Sequence, residues 1–354
     1  MSHDAMRGLS SLALLLLTTC LCAQEVQEFR QHDMKRWGIP AGNYSGIAHI
    51  GGDRYALVSD KQKADGWTEV SISFLPSGDI GGMKFVGHRF DPRTSGQARD
   101  SEGIAYVAGS GFFVCAESDQ SIPELDEEGI PTGRSLDVPA SFGTQNIFAG
   151  YGFEALTCQA DKGILWATTE QGLRTDVSAR TTYEAPTPTL LRLQAFGPDL
   201  KPLRQYAYTT EKPVTTRKPR HFVFGVSELL ALDDTTLLVM EREANIPRRY
   251  NRAECHIRLF SVNPQSGQAI ADTSLPLREA DGKAFFLHKK PFFSFSTGIR
   301  LFGKKNFANY EGMCLGPRLA DGRQVILLVA DSQNRAGNSL FRLKDYIKVL
   351  VVQP

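Results

Sequence analysis

The chain has 354 residues, 42% of them hydrophobic and 22% charged, with a formal net charge of +1. That is enough apolar chain to bury a sizeable core, and it excludes a disordered or low-complexity protein. The near-zero charge argues against a nucleic-acid surface and against polybasic attachment to a membrane.

The first 23 residues read as a signal peptide. Arg7 precedes the apolar run Leu9–Thr19, and Ala23 before Gln24 offers a cleavage point. The run is too short to span a bilayer, and no second apolar stretch of membrane length follows Ala23, so no transmembrane segment is expected in the mature chain. Residues 24–354 are then expected as one domain, periplasmic or extracellular. Cys20, after Leu17-Thr18-Thr19, loosely resembles a lipoprotein acceptor site and makes a lipid anchor the alternative.

Within Gln24–Pro40, Val26–Phe29 could form a lone strand. Then one unit is written five times: Ser45–Asp60, Glu102–Glu117, Glu154–Glu170, Glu228–Glu241 and the hairpin opened by Glu311 and closed by Asp331. Each has two short apolar runs around a turn, such as Gly51-Gly52-Asp53 or Asp161-Lys162-Gly163, which is the pattern of a buried hairpin. The starts lie 57, 52, 74 and 83 residues apart. Spacings of this order indicate repeated supersecondary units, with about 40–50 residues the range of propeller blades. A second, alternating strand pair follows several hairpins: Glu69–Leu75 with Met83–Phe90, Leu190–Phe196 with Leu203–Thr209, and His256–Val262 with Ala269–Leu277.

The fold expected is therefore all-β, a β-propeller of four-stranded antiparallel blades, with six blades expected and five or seven as alternatives. The C-terminal run Leu340–Val352 is expected to close the ring beside an N-terminal strand, leaving no edge unpaired. Asp119–Asn146 and Glu279–Asn306 break the pattern and read as loops, the second as a candidate binding lid.

Four cysteines remain in the mature chain: Cys115, Cys158, Cys255 and Cys314. Three lie in apolar strand runs and read as small core residues, although an exported protein permits disulfides. With no CxxC, Gly-x-Ser-x-Gly, P-loop or dinucleotide fingerprint, zinc, nucleophile-elbow and nucleotide chemistry have no support.

The chemistry points instead to the acids that bracket the hairpins. Rotational repetition aims Ser45, Glu102, Glu154, Glu228 and Glu311 at one end of a channel, with Asp60, Glu117, Glu170, Glu241 and Asp331 close by. So many carboxylates need counter-charge. A hard cation such as Ca2+ could supply it, held by Glu102, Glu154, Glu228, Glu311, Asp331 and Asp60. Lys61, Arg99, Arg174, Arg242 and Arg335 could supply the rest. The blander alternative is that each acid pairs with a backbone amide or an arginine to hold the blades together.

Taken in order, Ser45-Gly46-Ile47-Ala48, Ser101–Ala105, Gly152-Phe153-Glu154-Ala155-Leu156 with Thr169-Glu170, Leu238–Arg242, and Asn309-Tyr310-Glu311-Gly312 with Ala330–Asn334 resemble the phytase-like family described as having esterase-like activity of phytase. The resemblance implies an exported propeller that hydrolyses a phosphate ester or another ester. It implies catalysis by Glu102, Glu154, Glu311 and Asp331, and substrate binding by Arg242, Glu241 and Asn334, with Lys61 a further candidate from the residues themselves. Three readings follow: a calcium-assisted hydrolase of a small ester or phosphate ester, a non-catalytic propeller that binds a small ligand or partner protein, and a lactonase-like metal-dependent hydrolase. Basic residues beside the acids favour a phosphate over a lactone.

Overall fold

Each apolar hairpin supplies the two inner strands of one antiparallel sheet. The computed structural model describes residues 25–96, 99–271, 276–279, 285–338 and 341–353, so the expected signal peptide and Cys20 lie outside the described residues. Among the described residues the regular structure is strand, with short 3-10 turns between. No helix among them is long and apolar enough to cross a membrane.

The described residues form five sheets. The first blade is Tyr44–Gly51, Arg54–Ser59, Gly66–Phe74 and Ile80–Phe90, paired in that order. The second is Ser101–Val107, Gly111–Ala116, Pro123–Leu125 and Pro131–Ser135. The third is Phe153–Gln159, Ile164–Thr169, Leu190–Phe196 and Pro202–Thr209, with Ala269–Ile270 added at its edge. The fourth is His221–Ala231, Leu237–Ile246, Glu254–Val262 and Lys289–Gly298. In the fifth, Asn309–Arg318, Gln324–Asp331 and Tyr346–Val352 take their outer strand from the other end of the chain, Val26–Glu28, with Val26 opposite Val352. The expected closure by the two termini is what the structure has.

Five blades replace the six expected. Among the described residues the surplus chain forms no further blade: it falls between the second and third strands of the third blade (170–189) and between the last two strands of the fourth (263–288). Two further expectations change. Asp119–Asn146 contributes the two short outer strands of the second blade, and Glu279–Asn306 contains the outer strand of the fourth blade where a lid was expected. The run after Val262 pairs with Gln205 and Tyr206 of the third blade, so the fourth blade finds its last strand later, at Lys289–Gly298.

Apolar side chains fill each seam between neighbouring blades. Trp67 of the first blade stacks on Phe112 of the second at 3.7 Å, and Leu57 and Val70 meet Val325 and Leu327 of the fifth across the opposite face. Similar clusters occupy the remaining seams. Each fully buried aliphatic or aromatic side chain contributes roughly 1.5–3 kcal/mol, so the ring is held by its seams. The innermost strands approach closely where the sequence is small. A β-carbon on Gly46 would sit 2.5 Å from the Glu102 carbonyl oxygen, and one on Gly312 would sit 2.8 Å from Gly46 Cα.

The cysteines behave as expected for core residues. Cys115, Cys255 and Cys314 are buried, Cys158 is partly so, and all four are free thiols.

Candidate functional site at the acidic channel mouth

Every inner hairpin carries a bulge near its start. The register slips by one residue between Tyr44 and Gly46, Ser101 and Ile104, Phe153 and Ala155, Val226 and Glu228, and Tyr310 and Gly312. A bulge re-aims the extra side chain, and here it does so at the same end of each blade. Superimposing these slips defines the repeat. One tier is Ser45, Glu102, Glu154, Ser227 and Glu311. The strand returning opposite supplies a second tier: Asp60, Glu117, Glu170, Arg242 and Asp331.

The fourth blade therefore places Ser227 and Arg242 where the other blades mostly have acids. Arg242 is fully buried among the carboxylates of its neighbours. One terminal nitrogen donates to Glu311 at 2.7 Å and to Asn309 at 2.9 Å; the other reaches Glu154 at 3.4 Å and makes a short contact to Glu170. A planar guanidinium suits this task because its donors fan out in one plane and its charge is permanent. Burial opposes that charge, but Glu170, Glu311 and Glu154 restore it.

Burial pushes the carboxyls up. Glu170 and Glu311 rise to about 7, the effect of burial being limited by Arg242. Glu102 is raised well above its usual range, through burial and then through Glu154, Glu311 and Asp60. Glu154 rises through burial and Glu170, and Asp331 through burial, Glu311 and Asp60. Glu117 rises by burial although it accepts the Gly152 amide at 2.8 Å. The mouth of the channel thus holds Asp60, Asp100, Glu102, Glu117, Glu154, Glu170, Glu311 and Asp331 against Arg242 and Lys61.

Within this cluster, one oxygen each from Asp60, Asp100 and Glu102 lies within 4.8 Å of the others. Asp60 Oδ1 is buried with no hydrogen-bond partner among the described residues, while Oδ2 makes a short contact to Lys61 Nζ. Lys61 Nζ also lies 3.5 Å from Asp100. Oxygen donors of this kind, one of them without a partner, fit a hard divalent cation.

Of the expected site residues, Glu102, Glu154, Glu311, Asp331, Asp60, Arg242 and Lys61 come together here. Glu228 does not join the ring. It stands where the other blades carry Gly46, Gly103, Ala155 and Gly312, and its carboxyl accepts the amides of Leu156 at 3.1 Å, Leu229 at 2.9 Å and Met313 at 3.4 Å. Glu241, one residue from Arg242 along its strand, faces the other way. It is buried between the third and fourth blades and accepts from Tyr208 Oη at 2.7 Å and Lys289 Nζ at 2.8 Å. Asn334 sits at the rim in a loop knot with Asn43, which accepts the Asn334 amide at 2.7 Å. Arg99 is turned to Asp119 at 3.0 Å, and Arg174 Nε donates to the Ile147 carbonyl at 2.9 Å.

Asp100 and Ser227 are the site residues the sequence reading missed. Asp100 lies just before its strand with φ of 57°, outside the repeated unit. The serine of the first repeat, Ser45, was the signal that could have found Ser227.

Two cavities open beside the mouth. One of about 630 Å³ lies along the first blade and the Pro40–Tyr44 segment, with Ser59, Lys61 and Asn334 on its edge. The other, of about 580 Å³, touches Asp100, Glu117 and Arg174.

Residues 39–333 match the family model described as phytase-like, esterase-like activity of phytase. No curated protein matches this chain. Among solved structures it is similar to the endo-arabinase from Bacteroides thetaiotaomicron VPI-5482, at 13% identity over 90% of this chain and 95% of that one, with a TM-score of 0.45. It is similar to an alpha-L-arabinanase from Penicillium chrysogenum, at 10% identity over 92% and 98%, with a TM-score of 0.39. A virginiamycin B lyase from Staphylococcus aureus is similar at 11% identity over 93% and 100%, with a TM-score of 0.34.

Proposed function

We propose that this chain, which belongs to the phytase-like family, hydrolyses a phosphate ester or another small ester at the acidic mouth of its channel, with calcium at Asp60, Asp100 and Glu102. The observation that carries the reading is the unpartnered, buried Asp60 Oδ1 within an oxygen triad. Calcium bound there would neutralise the triad and polarise the ester. Lys61, beside the triad, would hold an anionic oxygen of the substrate by a charge-assisted hydrogen bond. Glu102, raised by burial and by its acidic neighbours in the metal-free protein, would give up its proton on binding calcium. Glu311 and Glu170, near 7, are placed to accept a proton from the water that attacks the ester. Arg242, already shared among carboxylates, acts as the positioning residue that ties Glu154, Glu170 and Glu311 together.

A binding module without catalysis is the competing reading. It is favoured by one observation: Lys61 already supplies counter-charge to Asp60 and Asp100. The two readings separate on metal binding. A ligand present at 100 times its dissociation constant adds about 2.7 kcal/mol of stability. Calcium should therefore raise the melting temperature of the mature wild type by a few degrees over chelator. Asp100→Asn, at a half-exposed position, should lose most of that rise while melting normally in chelator. A wild type indifferent to calcium would sink the metal reading, and an absence of calcium-dependent turnover of 4-nitrophenyl phosphate or 4-nitrophenyl acetate would sink the hydrolase.

Export is part of the same proposal, resting on Arg7 and the apolar run Leu9–Thr19. Expression in a Gram-negative host should give an intact mass that begins at or near Gln24. A product that still starts at Met1 would remove the signal peptide.

A further inference from the structure

We propose that the cavity of about 630 Å³ beside the acid triad binds the apolar group of an aryl or alkyl phosphate monoester, with its single anionic head at Lys61 and Lys63. This rests on the hydrolase reading and names its substrate class. The volume lies within the roughly 300–1,000 Å³ of small-molecule sites.

The walls fit an apolar group. Pro40, Tyr44, Phe90 and Pro92 line the cavity. His88 stacks on Phe90 with ring centroids 4.9 Å apart and 17° between planes, which makes one wall flat. Thr68 fixes that ring through His88 Nδ1 at 3.0 Å, leaving Nε2 without a hydrogen-bond partner among the described residues. Burial lowers the pKa of His88, which suits a neutral wall.

The edge fits one anionic head. Lys61 belongs to both places: it lines the cavity, and its Nζ contacts Asp60 and lies 3.5 Å from Asp100. The cavity is thus one side chain from the triad. Lys63, also in the lining, is exposed and has no ion pair among the described residues, so it can take a second oxygen of the same phosphate. Two further cations of the mouth are already engaged. The terminal nitrogens of Arg242 are taken up by Glu154, Glu170, Glu311 and Asn309, and Arg174 in the opposite cavity is turned to the Ile147 carbonyl and to the face of Phe148. The mouth beside the cavity is lined by Asp60, Asp100, Glu102 and Glu117, which would repel a polyphosphorylated polyol.

Isothermal titration of the mature chain in calcium, with 1-naphthyl phosphate and with inositol hexakisphosphate as probes, tests this. The naphthyl ester should bind more tightly than the hexakisphosphate. Ala64→Trp, which fills the cavity from a half-buried loop position, should weaken the naphthyl ester by roughly tenfold or more, the scale on which apolar pockets discriminate. The calcium-induced rise in melting temperature should persist in that variant. Lys63→Glu, at an exposed position, should weaken the naphthyl ester similarly and guards against a misfolded tryptophan variant. Tighter binding of the hexakisphosphate, or a naphthyl affinity unmoved by both substitutions, would overturn the assignment. Naphthyl binding that responds to the substitutions in a protein indifferent to calcium would support the cavity and overturn the metal reading alone.

Discussion

Replacing Arg242 by methionine should destabilise the metal-free protein by about 3–5 kcal/mol near neutral pH, the usual cost of removing one partner from a buried ion pair. For a chain of this length that is on the order of 5–10 °C in melting temperature. The side chain fills the centre of the channel mouth and gives charge to Glu154, Glu170 and Glu311 at once. Methionine keeps apolar volume but leaves those carboxyls with each other. They can respond only by holding protons.

The loss should therefore depend on pH, and its sign can be worked out from wild type. Glu170 and Glu311 are raised from the usual 4.5 to about 7 by burial. Between those values the folded state binds protons that the unfolded state has released. Their contribution is present below about 4.5 and is lost as pH rises through about 7. Metal-free wild type should melt lower at pH 8 than at pH 5, and Arg242→Met should steepen that decline because the cation that most holds Glu170 and Glu311 down is gone. Melting curves of both proteins in chelator at the two pH values decide the matter. Equal losses at pH 5 and pH 8 would mean that Arg242 acts through packing and that its charge is not what the mouth requires.

The hairpins were legible because each strand pair is a short apolar run with a turn between, and burial on both faces leaves no other pattern. The blade number was not, because length alone cannot tell a blade from the connections at 170–189 and 263–288. The site shows a finer limit. In the fourth repeat Glu228 and Glu241 have the residue type expected at the two acidic slots, so matching by type selects them. The slip between Val226 and Glu228, equivalent to that of the other four hairpins, places the two slots one residue away, at Ser227 and Arg242. A bulge has no residue signature here, since the extra position is a serine, a glutamate or part of Glu102-Gly103. The shift turns an apparent ring of acids into one interrupted by a single arginine, and it gives Glu228 a different task.

That task leads to the second large effect. Glu228 is the one long side chain at a level where the neighbouring blades carry Gly46, Gly103, Ala155 and Gly312. It ties the third, fourth and fifth blades through the amides of Leu156, Leu229 and Met313. Glu228→Ala should leave those buried amides without an acceptor, at about 1–3 kcal/mol for each orphaned donor, and should open a void on the axis as well. A total loss of roughly 3 kcal/mol or more is expected. Glu228→Gln should be milder. Its amide oxygen can still accept from Leu156 and Leu229, and only the weaker bond from Met313 would meet a donor. Burial pushes the Glu228 carboxyl well above its usual range against the pull of the three amides, so exchanging it for a neutral amide sacrifices little charge. Both losses should be the same in calcium and in chelator, because the residue joins strands and stands apart from the Asp60, Asp100 and Glu102 triad. A Glu228→Gln protein that keeps its stability in chelator but no longer gains any from calcium would make Glu228 a metal ligand, as its residue type alone suggests.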